Sequence, residues 1–228
     1  MSSHFLCRRQ DGHQRRCLRW LRYVCRPLSE TGHIMNILVC GVGGQGVLLF
    51  SDLLANLALS AGLDVKKSEV HGMAQRGGSV TSHVRYSSRV FSPLIEEGTA
   101  DLLVSFEQLE ALRFVHFLSP TGRLIYDPLR IEPLPVLLGL AETLDNSILG
   151  ARIRARAPDG RAVPAYETAC RLGSPLVQNT VMLGAVSCLL EFPVDAYHAT
   201  IRTLVKPQLV ELNLAAFNAG RQLVDAAD

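Results

Sequence analysis

Asn36-Ile37-Leu38-Val39-Cys40-Gly41-Val42-Gly43-Gly44-Gln45-Gly46 is the stretch that decides the fold. Its first five residues form a short apolar run that ends on glycines, the pattern of a strand buried on both faces. Beyond Gly46, Val47, Phe50, Leu54, Leu57 and Ala61 recur at helical spacing. Strand, glycine turn and helix follow one another without a spacer. That order is the opening unit of an α/β sheet.

Working outward, Asp64 to Val70 reads as a second strand and Ser79 to Tyr86 as a third. Ser87-Ser88 reads as a turn, with Val90 to Ser92 returning as a hairpin partner. Asp101 to Phe106 is an apolar buried strand. Gln108 to Leu118 is a helix stopped by Ser119-Pro120-Thr121-Gly122. Arg123 to Tyr126 is a further strand, halted by Asp127-Pro128. Residues 130 to 166 have frequent Pro and Gly and no clear period. From Glu167 the reading is helical, over Pro175 to Phe192, Val194 to Val205 and Gln208 to Asp228. The expectation is an α/β, Rossmann-like, three-layer fold. Its sheet is mainly parallel, mixed through the hairpin, and a C-terminal helical segment follows.

Two loops carry the chemistry. Gly41, Gly43 and Gly46 fit the spacing GxGxxG between a strand and a helix. Glycines let backbone N–H groups approach an anion closely. The helix N-terminus behind them adds partial positive charge. Gln45 is polar and unusual for a dinucleotide loop. Glu69 lies about where a Rossmann fold places its ribose-binding acid. A dinucleotide, another anion or a tight turn without ligand all remain open for this loop. The second loop, His71-Gly72-Met73-Ala74-Gln75-Arg76-Gly77-Gly78-Ser79, mixes donors with glycines. Arg76 offers a planar fork to a carboxylate or phosphate; Gln75 and Ser79 add neutral donors. Taken singly, Arg76 could pair with Glu69, and His71 could be a hydrogen-bonded turn residue. As a unit, the loop is poor material for a core. His71 and Arg76 are the catalytic candidates. Gly41, Gly43, Gly44, Gln45, Gly46, Gln75, Arg76, Gly77, Gly78 and Ser79 are the candidate cofactor-binding set. Glu107 and Asp127 each follow a strand and could face the same crevice or cap helices and turns. His83 and His116 read as structural.

Composition narrows the function classes. The 228 residues are 48% hydrophobic, enough for a sizeable core, and no apolar run is long enough to span a bilayer. The net charge of +2 hides a division. Arg8, Arg9, Arg15, Arg16, Arg19, Arg22 and Arg26 face only Asp11 and Glu30 within residues 1–34, so the remainder is mildly acidic. No basic face for nucleic acid follows. The basic 1–34 extension has no apolar h-region; it reads as a disordered arm or as sequence upstream of a working start at Met35, with a single domain over 35–228. The six cysteines include no CxxC pair, so no cluster or zinc site is expected on this chain. His4, His13 and His33 beside the tail cysteines fit no common metal spacing. Cys40, Cys170 and Cys188 lie in apolar segments and read as small core residues of a cytoplasmic protein.

The two loops together resemble the gamma-type domain of 2-oxoacid:ferredoxin oxidoreductases. Gly41 to Gly46 followed by Ser68-Glu69-Val70-His71-Gly72-Met73-Ala74-Gln75-Arg76-Gly77-Gly78 is most similar to the indolepyruvate branch. Val163-Pro164-Ala165, Gln178-Asn179, Leu183-Gly184, Asn213, Ala216-Phe217 and Gly220 agree with it. The resemblance runs from about Met35 to Gly220 and leaves the tail without a counterpart. It implies oxidative decarboxylation of an aryl-pyruvate on thiamine diphosphate. Electrons leave through [4Fe–4S] clusters to ferredoxin, and the product is an aryl-acetyl-CoA. This chain has neither a thiamine signature nor cluster cysteines, so the resemblance assigns both groups to a larger partner subunit. The chain would bind no cofactor alone and would serve as an obligate partner with coenzyme A as a substrate. An NAD(P)- or FAD-binding oxidoreductase is the alternative suggested by the first loop and Glu69. A non-catalytic assembly module is a third.

Overall fold

The computed structural model describes residues 33–71, 78–140, 142 and 145–225. Six strands form one sheet: β1 (Met35–Val42), β2 (Asp64–His71), β3 (Ser79–Ser87), β4 (Ala100–Ser105), β5 (Leu118–Tyr126) and β6 (Arg161–Ala162). Their order is β2-β3-β1-β4-β5-β6. β1, β4, β5 and β6 are parallel neighbours, while β3 runs antiparallel to both β1 and β2. The helices are α1 (Val47–Ser60), α2 (Gln108–Phe114), α3 (Asn146–Arg156), α4 (Ala165–Arg171), α5 (Gln178–Ser187), α6 (Val194–Leu204) and α7 (Val210–Asp225), with one further helical turn at Leu134–Leu137.

The apolar run of β1 is buried along its whole length because it feeds two cores. Ile37 and Val39 point to the face covered by α1 and the C-terminal helices, where Phe50, Leu54, Val181 and Phe217 pack. Leu38 and Cys40 point to the other, with Ala111 of α2 and Leu149 and Ile153 of α3. A sheet covered on both sides needs apolar residues at successive positions. α1 stops where Gly62 takes φ +79° and the Leu63 N–H turns back to Ala58 O at 3.1 Å. Ala61, expected on the buried stripe, is the exposed cap residue.

Three expectations need correction. Val90 to Ser92 is not a strand. Both edges of β3 are already occupied by β1 and β2, so no ladder position is left for it. Val90 is instead buried in an irregular segment, its N–H donated to Asp64 Oδ2 at 2.8 Å. The mixed character of the sheet comes from β3 itself. Ser119 to Gly122 does not end a helix: α2 stops at Phe114, a 3₁₀ turn follows over Val115–Phe117, and these residues form the first half of β5. There the ladder is irregular, Ala100 facing Leu118 and Leu102 facing Arg123. A Cβ on Gly122 would lie 2.4 Å from Ala100 O, so only glycine fits this bulge. Third, Cys170 is exposed, on the outer side of α4, while Cys40 is buried and Cys188 partly so. Burial pushes the Cys40 thiol well above its ordinary range, which keeps it protonated and inert.

Candidate functional site

Because α1 and α2 cover opposite faces, the sheet has its switch point between β1 and β4. The crevice outside the carboxyl ends of these strands is where open α/β sheets bind ligands. The end of β1 and the start of β3 meet there, Val42 facing Ser79. The first loop and both flanks of the second, His71 and Gly78, therefore lie at the same edge.

In the first loop, Gly44 and Gly46 have φ of +105° and +79°, which other residues rarely adopt. The first helical bond of α1 runs from Phe50 N–H to Gly46 O. The N–H groups of Val47, Leu48 and Leu49 thus have no helical acceptor. No acidic side chain occupies the first turn, and among the described residues no side chain caps it. Gly43 is used differently: its N–H donates to Gly78 O at 2.8 Å and joins the two loops. Gly41 is wedged against Gln45, Val47 and Phe106, so a Cβ there would meet atoms at about 2.9 Å.

Gln45 faces inward. Its Oε1 accepts the Val42 N–H at 2.7 Å, and its Nε2 donates to Phe106 O at 2.8 Å and to Gln178 Oε1 at 3.4 Å. Gln178 Nε2 donates in turn to Phe106 O (3.0 Å) and to Asp127 Oδ2 (2.9 Å). Asp127 also accepts the N–H groups of Leu129 and Tyr166. One chain of amides and a carboxylate therefore fastens the ends of β1, β4 and β5 to the feet of α4 and α5. Burial raises the Asp127 carboxyl above the usual carboxylate range, against the pull of its donors. Glu107 is likewise buried and raised by desolvation; it caps α2 through the Glu110 N–H and accepts the Ile131 N–H. Both acids take the capping role rather than an open position in the crevice.

Asn179 was not among the expected site residues. It is 2% exposed, and its Oδ1 accepts the Thr180 N–H at 2.9 Å. Its Nδ2 lies 2.8 Å from where a Cβ on Gly46 would stand. An amide donor thus adjoins the open N-terminus of α1. The pair Gln178-Asn179 carried family resemblance in the sequence, but nothing local marked either residue as lying beside the glycine loop.

Of the second loop, Gly78 and Ser79 are described: Ser79 Oγ donates to Glu110 Oε2, and Gly78 holds Gly43. His71 closes β2 by its backbone. Gln75, Arg76 and Gly77 lie outside the described residues, as does the expected Arg76–Glu69 pairing. Glu69 forms an ion pair with Lys67 at 2.5 Å. It lies on β2, separated from β1 by β3, so two strand spacings of about 4.8 Å each set it away from the first loop. A dinucleotide reading needs that acid on the strand next to β1. His83 is buried with its Nδ1 accepting the Ile95 N–H at 3.2 Å, a structural role; burial lowers its pKa.

Comparison with known proteins agrees with this architecture. Residues 36–223 match the family model described as pyruvate ferredoxin/flavodoxin oxidoreductase. The chain is 39% identical over 189 residues to the indolepyruvate oxidoreductase subunit IorB of Pyrococcus horikoshii, covering 81% of this chain and 93% of that one. A keto/oxoacid ferredoxin oxidoreductase gamma subunit from Geobacter sulfurreducens superposes with a TM-score of 0.62 at 25% identity, over 84% of this chain and 99% of that one. The fold also recurs, with a TM-score of 0.65 at 23% identity, in the 2-oxoglutarate:ferredoxin oxidoreductase of Magnetococcus marinus solved with 2-oxoglutarate, coenzyme A and succinyl-CoA bound; the likeness spans 85% of this chain and 31% of that one. The chain therefore belongs to the pyruvate ferredoxin/flavodoxin oxidoreductase family, as a small subunit of a 2-oxoacid:ferredoxin oxidoreductase.

Proposed function

We propose that this subunit forms one wall of an active site completed by a larger partner, and that its first glycine loop holds a phosphate of coenzyme A. The observation that carries the reading is the donor set at the α1 N-terminus. Val47, Leu48 and Leu49 N–H groups stand open behind two left-handed glycines, and the Asn179 Nδ2 adjoins them. Such a set favours a phosphate through dipole and hydrogen bonds together. The Magnetococcus relative binds coenzyme A, which supports this ligand class. Gln45 then serves by holding the loop's shape, and Ser79 by anchoring the start of β3; Gln75, Arg76, Gly77 and Gly78 complete the proposed binding set.

The likeness to indolepyruvate subunits supports an aryl-pyruvate as the 2-oxoacid. Thiamine diphosphate and [4Fe–4S] clusters would sit on the partner and supply the carbanion and the electron path to ferredoxin. Among the described residues no group of three His, Cys, Asp or Glu stands ready for a metal, and no helix is long and apolar enough to cross a membrane. A cytoplasmic complex, and a single domain over 35–228 whose two cores share one sheet, complete the reading.

Asn179→Ala in the assembled complex tests it. The KM for coenzyme A should rise on the order of tenfold or more, the loss expected for a hydrogen bond to a charged group, with the KM for the 2-oxoacid unchanged. An unchanged KM for coenzyme A would remove the phosphate from this loop.

A further inference from the structure

Where β4, β5 and β6 begin, at the edge of the sheet opposite the glycine loops, the ladder between β4 and β5 gives way. Two steps along β4, from Ala100 to Leu102, match five along β5, from Leu118 to Arg123. Ser119 to Gly122 stand outside the register. The sequence suits this break. Pro120 has no N–H to offer a ladder, and Gly122 lies too close to Ala100 O for a side chain. Bulges recur beside functional sites, where they re-aim side chains.

The break opens a cavity of about 390 Å³, within the range of roughly 300–1,000 Å³ for small-ligand sites. Its floor is apolar, formed by the buried side chains of Val115, Leu124 and Ala157. Three polar residues line it as well: Ser119, Arg156 and Asp159. The Ser119 hydroxyl is buried and has no hydrogen-bond partner among the described residues. A folded chain seldom leaves such a group unsatisfied, because the desolvation is not repaid. Arg156 ends α3. Asp159 follows in a turn that the Gly160 N–H closes on Ala157 O at 2.9 Å and that Pro158 stiffens. The two charges are opposite and lie on one short turn, yet they do not pair with each other.

We propose that this cavity binds a small zwitterion with an apolar body, an α-amino acid with a branched or aromatic side chain. Its carboxylate pairs with Arg156 and accepts the Ser119 hydroxyl, its ammonium pairs with Asp159, and its side chain covers the apolar floor. A simple anion would meet Asp159, and a simple cation would meet Arg156. A ligand that carries both charges satisfies both, and an apolar ligand without them would leave Ser119 unpartnered. The cavity lies at the end of β5 opposite Asp127, and the inference does not depend on which ligand the glycine loops take.

Calorimetric titration of the full chain with L-phenylalanine and with L-leucine tests it. At least one should bind saturably. For the one that binds, the analogue lacking the ammonium (3-phenylpropionate or 4-methylpentanoate) and the one lacking the carboxylate (phenethylamine or isoamylamine) should each bind about tenfold or more weakly, since each forfeits a charge-assisted hydrogen bond. Arg156→Gln and Asp159→Asn lie at exposed positions, so both variants should melt as the parent does and bind the amino acid about tenfold more weakly. Arg156→Gln should also weaken the carboxylate analogue and spare the amine. No saturable binding of either amino acid at millimolar concentration overturns the proposal. So does equal affinity for amino acid and analogues, or binding that both variants leave intact. Asn179→Ala should not alter this binding, so the cavity and the glycine loop fail or stand separately.

Discussion

Asp127 shows how much a single buried side chain can organise. It is 1% exposed and accepts three donors, yet desolvation dominates and its carboxyl titrates above the usual carboxylate range. The folded chain therefore keeps this proton to higher pH than the unfolded chain does. Stability contributed by the group falls as pH rises from the ordinary carboxylate pKa through the raised one. Glu107 acts in the same direction. Urea midpoints measured from pH 4 to 8 should decline across that window, and Asp127→Asn should flatten the decline. The same substitution turns one acceptor oxygen into a donor facing a backbone N–H, and should lower stability at pH 5 by about 1–3 kcal/mol. Gly46 is the other decisive position. Gly46→Ala puts a Cβ against Asn179 at a φ of +79°, which costs about 1–2 kcal/mol for the left-handed backbone alone. Denaturant titration should show that loss, together with weakened coenzyme A binding by the complex. Gln45 was legible as an unusual residue in a glycine loop, but not in its direction. Its acceptor, Phe106 O, is 61 residues away, and no local pattern announces such a partner. Asn179 was hidden for the same reason: its meaning comes from Gly46 beside it.

Among the elements, those buried on two faces were the readable ones. β1 and β4 announce themselves by the short apolar runs Ile37–Cys40 and Leu102–Val104, and α1 by its stripe. α3 was not readable. Only Leu149, Gly150 and Ile153 are buried in Asn146–Arg156, too narrow a stripe to stand out among residues 130–166. Its helical state is decided by packing on α2. The place of β3 between β1 and β2 was equally hidden, since strand order depends on which edges are left open and not on propensity. The contact between α5 and α7 gives a sharp prediction at this scale. A Cβ on Gly184 would lie 2.0 Å from Phe217 O, and one on Gly220 would lie 1.9 Å from Val181 O. The two helices cross backbone to backbone, with Thr180 and Asn213 hydrogen-bonded at 2.6 Å nearby. Either glycine replaced by alanine must force the helices apart, and should destabilise the chain by about 3 kcal/mol or more, at the upper end for overpacked cores. A melting curve of the isolated subunit reads this directly.

The molecule as a whole displays apolar side chains that its own core does not use. Leu137, Leu138, Leu140 and Leu176 are 69%, 62%, 77% and 78% exposed. They follow β5 or precede α5, on segments leading from or to the carboxyl edge where the loops open. If the large subunit docks there, Leu138→Lys with Leu140→Lys should reduce the fraction of chain that co-elutes with it, without changing the melting temperature of the free subunit. Full co-elution would put the interface elsewhere.

The two cores also differ in when they can close. The one beneath α2 and α3 draws on residues from Leu38 to Ala157, whereas the one beneath α1 needs side chains from Met35 through Val224. Chains begin to fold while they are still being synthesised. On the ribosome, the side under α2 and α3 can be roofed early, while the other has only α1 over it until the C-terminal helices have emerged, so the nascent chain carries a half-covered apolar face for most of its synthesis. That side is where a chaperone would bind, and it is where premature termination would do the most harm.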